Sequence, residues 1–389
     1  MSLEDYREIV HLCRLCGNCR QCGTTYLPCC PAGARFSLDE YYSRGKSIIA
    51  KGLLEGRLSW TYSIANVVYR CTMCGACAEQ CPVDYQDYIL QVFGALREEC
   101  VERSLVPPEI RNFLENIQNF GNPFKEPRKE RGRWTDGTRI RQYEPSDEFL
   151  YYVGCIGSYD TRANKIAKAL GDIFLRSGLS FGILGSEETC DGNEVNMLGE
   201  KGLFELLAKE NIKKFEKLGA NKIVTLSPHA YNTIKNEYPH YGGNFEVKHY
   251  VQFLKEIIRI GKINISKALH ARVTYHDPCF LGRYNEEYDA PREILRSIEG
   301  IELVEMERNR ENSFCCGGGG ANFYTDLFAS TEDSPSRIRI REAYATGASI
   351  LAVACPACMI MLEDALKVEG FEKELKIMDI SEIVEGVSQ

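Results

Sequence analysis

Cys71-Thr72-Met73-Cys74-Gly75-Ala76-Cys77-Ala78-Glu79-Gln80-Cys81-Pro82 decides how the first third of the chain folds. Its C-x2-C-x2-C-x3-C-P spacing is the one that wraps a 4Fe–4S cube. Three-residue steps put successive thiolates on one turn of backbone, all facing one metal centre. The closing Cys81-Pro82 ends that turn, because proline fixes φ and lacks an N–H. A zinc knuckle would arrange its cysteines as two separated pairs instead. The run predicts electron transfer.

Upstream, Cys13-Arg-Leu-Cys16-Gly-Asn-Cys19 repeats Cys71 to Cys77 step for step, including the glycine after the second cysteine. Its Cys-Pro pair is delayed to Cys30-Pro31. In two-cluster ferredoxins the fourth cysteine of each run ligates the other cluster. That rule assigns Cys13, Cys16, Cys19 and Cys81 to one cube, and Cys71, Cys74, Cys77 and Cys30 to a second. Cys29 is the alternative to Cys30, and Cys22 is a spare. Helical patterns such as Ser47-Ile-Ile-Ala-Lys-Gly-Leu-Leu54 fill the stretch between the motifs. Residues 1–120 are therefore predicted to form an α-helical two-cluster ferredoxin domain, with Cys100 as a buried structural cysteine.

The 389 residues hold 18 cysteines, in clusters rather than evenly spread pairs. In a long chain that pattern points to metal rather than disulfides. The opening Met1-Ser-Leu-Glu-Asp-Tyr-Arg is charged and lacks the apolar core of a signal peptide. No stretch reaches the roughly 18 to 20 apolar residues that span a bilayer. A cytoplasmic protein is expected, peripheral to the inner face of a membrane only through a partner. A net charge of −8 argues against nucleic-acid binding.

Residues 121–148, rich in Pro, Gly, Arg and Glu, read as a linker or docking segment. From Phe149 short apolar runs alternate with amphipathic helices, the pattern of parallel α/β units. Phe149 to Val153, Lys222 to Leu226, Arg272 to Tyr275 and Ile350 to Ala354 are predicted strands. Gly202 to Phe215 is a predicted helix, with Leu203, Leu206, Leu207 and Phe215 near one face. Cys155 and Cys279, Cys190 and Cys315, and Ser227 and Cys355 are separated by one recurring interval of about 125 residues, the mark of a duplicated domain. The lobes are expected at 149–265 and 266–389.

The second lobe holds Cys279 in His276-Asp-Pro-Cys279-Phe-Leu-Gly-Arg, then Cys315-Cys316-Gly-Gly-Gly-Gly320, then Cys355-Pro-Ala-Cys358. Five thiolates from three loops fit one metal site beyond the carboxyl ends of parallel strands. The glycine run lets backbone approach a bulky inorganic core, and no Gly-Lys-Ser/Thr follows to make it a phosphate loop. Helix N-termini near Cys279 and Cys358 would favour thiolates. Four-thiolate zinc with one spare cysteine is the competing reading.

This constellation resembles the CCG domain of heterodisulfide reductase catalytic subunits, and a ferredoxin domain followed by two CCG domains resembles the D-type form of that enzyme's catalytic chain. Iron–sulfur subunits of glycolate and lactate oxidases, and electron-transfer subunits allied to benzoyl-CoA reductase, share the layout. The resemblance implies a non-cubane 4Fe–4S cluster on Cys279, Cys315, Cys316, Cys355 and Cys358. The first lobe departs from the pattern. Cys155 and Cys190 survive, but Asp191 and Ser227-Pro-His229-Ala230 replace the remaining cysteines. No iron–sulfur cluster is expected there; zinc on Cys155, Cys190, Asp191 and His229 competes with a vestigial, metal-free lobe.

Two functions compete. One is an electron-transfer subunit of a larger redox complex, linking two cubes to the C-terminal cluster. The other is a thiol/disulfide reductase working at that cluster, with His276 and Asp277 as proton donors to a leaving thiolate. No G-x-G-x-x-G follows a strand, so no flavin or NAD is expected in this chain. Flavoprotein or iron–sulfur partners are expected, with a small thiol or disulfide under the second reading.

Overall fold

A computed structural model describes residues 2–23 and 25–388. Up to residue 120 the structure is helical, with no strand of two or more residues among the described residues. The two cysteine runs share one backbone trace. Leu15 and Met73 both take left-handed φ, at 56° and 53°, and Gly17 and Gly75 follow at 85° and 81°. A non-glycine residue pays for that conformation in strain, so its repetition marks a turn demanded by the cysteine spacing. Helices Ser43–Leu54 and Ile89–Glu102 pack behind the turns. Helix Pro108–Phe120 starts on a proline, buries Ile110, Phe113 and Ile117 along one face, and stops at Gly121 with φ 71°.

The rest is α/β. Strands β1 (Phe149–Tyr152), β2 (Phe181–Gly182), β3 (Lys222–Thr225) and β4 (Glu246–His249) form a parallel sheet in the order β2-β1-β3-β4. Strands β5 (Ala271–Tyr275), β6 (Ile301–Leu303), β7 (Ile350–Val353) and β8 (Lys376–Asp379) repeat it as β6-β5-β7-β8. β1 and β7 are buried along their whole length, as parallel strands covered on both faces should be. Each sheet reverses its winding beside β1 or β5, and ligand crevices open at such switch points.

The lobes pack about a pseudo-two-fold relation. Helix Thr161–Arg176 of the first lobe lies on the final helix Ile380–Val387, while Tyr250–Arg259 lies on Asp289–Arg296, the equivalent pair in reverse. Arg162 holds Glu363 and Glu382 across the joint, at 2.7 and 2.8 Å. Tyr250 donates to Asp379 at 2.7 Å. One continuous apolar core runs through both lobes.

Three local expectations are corrected. Leu206 is 67% exposed; the inward face of helix Lys201–Leu218 carries Phe204, Leu207, Ala208, Ile212 and Phe215. Cys279 begins no helix but a series of turns, whereas Cys355 caps helix Pro356–Glu369. The segment 121–148 is not a solvated tether. It buries Arg131, Trp134, Ile140 and Tyr143 against the first lobe.

Candidate metal centres

Cys30, Cys71, Cys74 and Cys77 line one small cavity, closed by Leu90 and Phe93. Cys30 also caps helix Pro31–Phe36, accepting from Gly33 N at 3.4 Å. Cys29 faces Cys22 instead and donates to the Cys19 carbonyl at 3.0 Å. Nearer the surface, Cys81 lies beside Cys13 and Cys16, and Cys19 beside Cys13. Cys16 is exposed, while Cys13, Cys19 and Cys81 are half-buried. Cys77 has Cys19 among its neighbours, so the two sets adjoin. Of the inner set, Cys74 and Cys77 are buried, and Cys30 and Cys71 are half-buried like most of the outer set.

In the second lobe Cys279 follows β5, Cys315 and Cys316 follow β6, and Cys355 follows β7. All five thiols of this set are buried. Cys316 Sγ stands 3.4 Å from Cys358 Sγ, and Cys315 faces both Cys279 and Cys316. Hydrogen bonds from Cys315 and Cys358, working against burial, hold Cys316 well below the usual thiol range, with help from His276. Burial also opposes ionisation of Cys355, yet contacts with Cys358 and His229 bring it down to about 5. Metal ligation needs thiolates, and five buried soft sulfur donors that neighbour one another in series suit iron–sulfur chemistry. Tetrahedral zinc would use only four. The donor set fits the cluster that the resemblance implies.

His276 and Asp277 part company. The His276 ligating nitrogen, Cys316 Sγ and Cys358 Sγ all lie within 4.8 Å of one another. Arg339 Nε donates to His276 Nδ1 at 3.1 Å. Since arginine has only donors, Nε2 carries the ring proton and serves the thiols. Asp277 instead binds Arg292 through both oxygens, at 2.6 and 3.0 Å, and accepts from Arg310 N at 2.8 Å. Both oxygens of Asp277 are thus taken up, and of the two residues only His276 faces the thiols.

The glycine run corrects its expected purpose. A Cβ on Gly319 would lie 2.5 Å from the Thr72 carbonyl oxygen, and one on Gly320 2.6 Å from that of Cys71. The main chain of Thr72 and Cys71 demands these two glycines. The loop carrying Cys71 to Cys74 is docked onto the five-cysteine lobe. Arg283 Nε donates to the Cys74 carbonyl and Tyr284 Oη to that of Met73, each at 2.6 Å. The thiols of Cys74 and Cys315 consequently face each other across the domain boundary. Nothing in the sequence marks Arg283 or Tyr284, because their partners are main-chain atoms about 210 residues away.

In the first lobe Cys155, Cys190, Asp191, Glu194, Ser227 and His229 line one cavity of ≈ 40 Å³, with Pro356 of the second lobe in its wall. His229 Nδ1 is 2.7 Å from Glu194, whose other oxygen accepts from Ala321 N at 2.5 Å. The ring packs on Phe280 at 4.5 Å and reaches Cys355. His229 thus braces the five-cysteine set from the neighbouring lobe. Exchanging Cys190 for serine is expected to leave iron content unchanged; a drop of about four irons by colorimetric assay would put a cluster in this lobe.

The 4Fe-4S dicluster domain matches residues 9–85, and the cysteine-rich CCG domain matches residues 149–235 and 273–363. The chain belongs to the iron–sulfur protein family that joins a dicluster ferredoxin domain to two CCG domains and includes the D-type chain of heterodisulfide reductase. The D-type chain of the dihydromethanophenazine:CoB--CoM heterodisulfide reductase of Methanosarcina mazei is 30% identical over 389 residues, covering 96% of this chain and 92% of that one. The probable iron-sulfur-binding oxidoreductase FadF of Bacillus subtilis is 38% identical, and the EtfAB:quinone oxidoreductase of Syntrophomonas wolfei 33%. Each alignment spans 82% of this chain but 46% of the relative, so the chain spans about half the length of these two. Among the described residues, no helix is long and apolar enough to cross a membrane.

Proposed function

We propose that the chain is an electron-transfer subunit of a multi-subunit redox complex, carrying electrons between two cubane clusters and a non-cubane cluster on the five-cysteine set. Iron–sulfur clusters supply one-electron transfer, with potentials tuned by burial and by hydrogen bonds to sulfur. Cys13, Cys16, Cys19 and Cys81 would hold the outer cube; Cys30, Cys71, Cys74 and Cys77 would hold the inner one. The observation that carries the reading is the Cys74–Cys315 contact, which joins ligands of two different centres. The sets then run in order from surface to core, with Cys19 beside Cys77 and Cys74 beside Cys315. Arg283 and Tyr284 fix that second joint by holding the carbonyls of Cys74 and Met73. The relatives' names, an EtfAB:quinone oxidoreductase and a probable iron-sulfur-binding oxidoreductase, fit a redox partner for this chain.

Thiol or disulfide reduction at the same centre is the second reading, favoured by His276 with its Nε2 proton beside Cys316. Electron paramagnetic resonance of the anaerobic, oxidised protein separates the two. Ordinary cubes are silent in that state, so a signal reports the C-terminal centre. An unchanged signal with added thiols is the relay result. A thiol-shifted signal would move the assignment to sulfur chemistry.

A further inference from the structure

The cavity of the first lobe is more than a relic. Its two cysteines occupy the positions that Cys279 and Cys315 occupy in the second lobe, after the equivalent strands β1 and β2. Both are buried, both line this one cavity, and neither is in a disulfide. Arg131, 1% exposed, points two guanidinium nitrogens at Cys155 Sγ, at 3.4 and 3.5 Å. Glu188 holds that guanidinium at 2.6 Å, and is itself held by the backbone N–H groups of Val153 and Gly154 at 3.1 and 2.9 Å. Gly192 N donates to Cys190 Sγ at 3.4 Å. A vestigial cavity has no need of a buried, braced cation aimed at one of its sulfurs, since burying charge is costly.

We infer that Cys155 and Cys190 form a redox-active dithiol, reversibly closing to a disulfide beside the five-cysteine centre. The inference rests on the reading that this centre holds an iron–sulfur cluster only for the origin of its electrons. In the oxidising direction the Cys155 thiolate and the Cys190 thiol join in one S–S bond. The Cys190 S–H bond breaks, and its proton passes to the carboxylate of Asp191, which lines the same cavity. The two electrons released would pass, one each, to two oxidised iron–sulfur centres that the cysteine sets would hold, and would come from them in the reverse direction. Reduction reverses every step. The two thiols are unequal in the way this requires: the Cys190 contact, countered by burial and aided by Arg131, holds Cys155 below the usual thiol range, while Cys190 is pushed well above it. Pro356, next to Cys355, closes the cavity wall, so the pair abuts the second-lobe site. A one-electron chain would thereby gain a two-electron store.

The test equilibrates the anaerobic holoprotein in reduced and oxidised dithiothreitol buffers, quenches with acid, alkylates and digests. Mass spectrometry should recover a Cys155–Cys190 cross-linked peptide that disappears as the buffer becomes reducing, and Cys190→Ser should abolish it. Arg131→Met removes the cation that favours the thiolate form, so the disulfide-to-dithiol ratio in a fixed buffer should rise about tenfold or more; Arg131→Lys should fall between. Recovery of both cysteines as separate alkylated thiols across the whole buffer range overturns the proposal. Because the buffer addresses the thiols directly, a Cys316→Ser protein should still form the cross-link. Iron content and resonance spectra of the same samples test the cluster reading separately.

Discussion

Replacing Arg97 with methionine is expected to cost about 3–5 kcal/mol and to loosen the ferredoxin domain from the first lobe. Arg97 sits on helix Ile89–Glu102 and is fully buried. Its guanidinium donates to the carbonyls of Val68 and Tyr69 at 3.1 and 3.2 Å, to that of Cys71, and to Met197 of the first lobe at 2.8 Å. Tyr69 adds a bond from its hydroxyl to the Leu198 carbonyl at 3.2 Å. One side chain therefore ties a cysteine turn, its supporting helix and the first lobe together. Methionine fills much of the volume but leaves the carbonyls of Tyr69, Cys71 and Met197 short of a donor, while that of Val68 keeps the Cys71 N–H, and each orphaned group costs about 1–3 kcal/mol before relaxation. Lysine should rescue poorly, because a point cation cannot span the fork of acceptors. Against a total stability of about 5–15 kcal/mol, the loss should appear as a large fall in the urea midpoint. It should also appear as faster loss of iron from the inner cube, since the Cys71 carbonyl is one of the three. A midpoint within experimental error of the parent would refute the clamp.

The contrast between Arg97 and the cysteines explains what the sequence reveals. Cysteine runs are local: three-residue steps, a repeated glycine and a terminal proline carry their geometry with them, and the matching backbone of Leu15 and Met73 is the physical form of that repeat. The four central strands were equally legible, since continuous apolar runs such as Phe149 to Tyr152 serve burial on two faces, whereas the edge strands β2, β4, β6 and β8 went unread. What depends on packing between distant segments was not. Leu206 reads as part of an apolar stripe but faces solvent, because the neighbour that selects the inward face comes from tertiary structure. Gly319 and Gly320 read as a cradle for a metal core, yet they make room for the carbonyls of Thr72 and Cys71. Asp277 reads as an acid beside a cysteine, but Arg292, fifteen positions on, had already claimed it. Arg131 lay in a stretch that reads as linker, and only the fold brings it to Cys155. Chemistry set by spacing is visible in a sequence; chemistry set by docking is not.

Changing Cys316 to serine is expected to remove the C-terminal cluster and leave both cubes intact, a loss of about four irons from about twelve. Cys316 lies at the middle of its set, 3.4 Å from Cys358 and in contact with Cys315, and its thiol is held well below the usual thiol range. Serine offers a hard oxygen that stays protonated near neutral pH, so it supplies neither the charge nor the softness that iron–sulfur ligation uses. The cubes should persist because their eight cysteines lie between Cys13 and Cys81, and the inner set lines a cavity to which the second lobe contributes no residue. The joint at Cys74 should persist too, since Arg283 and Tyr284 hold its carbonyls independently of Cys316. Iron assay and resonance spectra should therefore show reducible cubes without the oxidised-state signal. If all iron departs together, the cysteine sets are one interdependent assembly, and the order from surface to core would have to be redrawn around the Cys74–Cys315 contact.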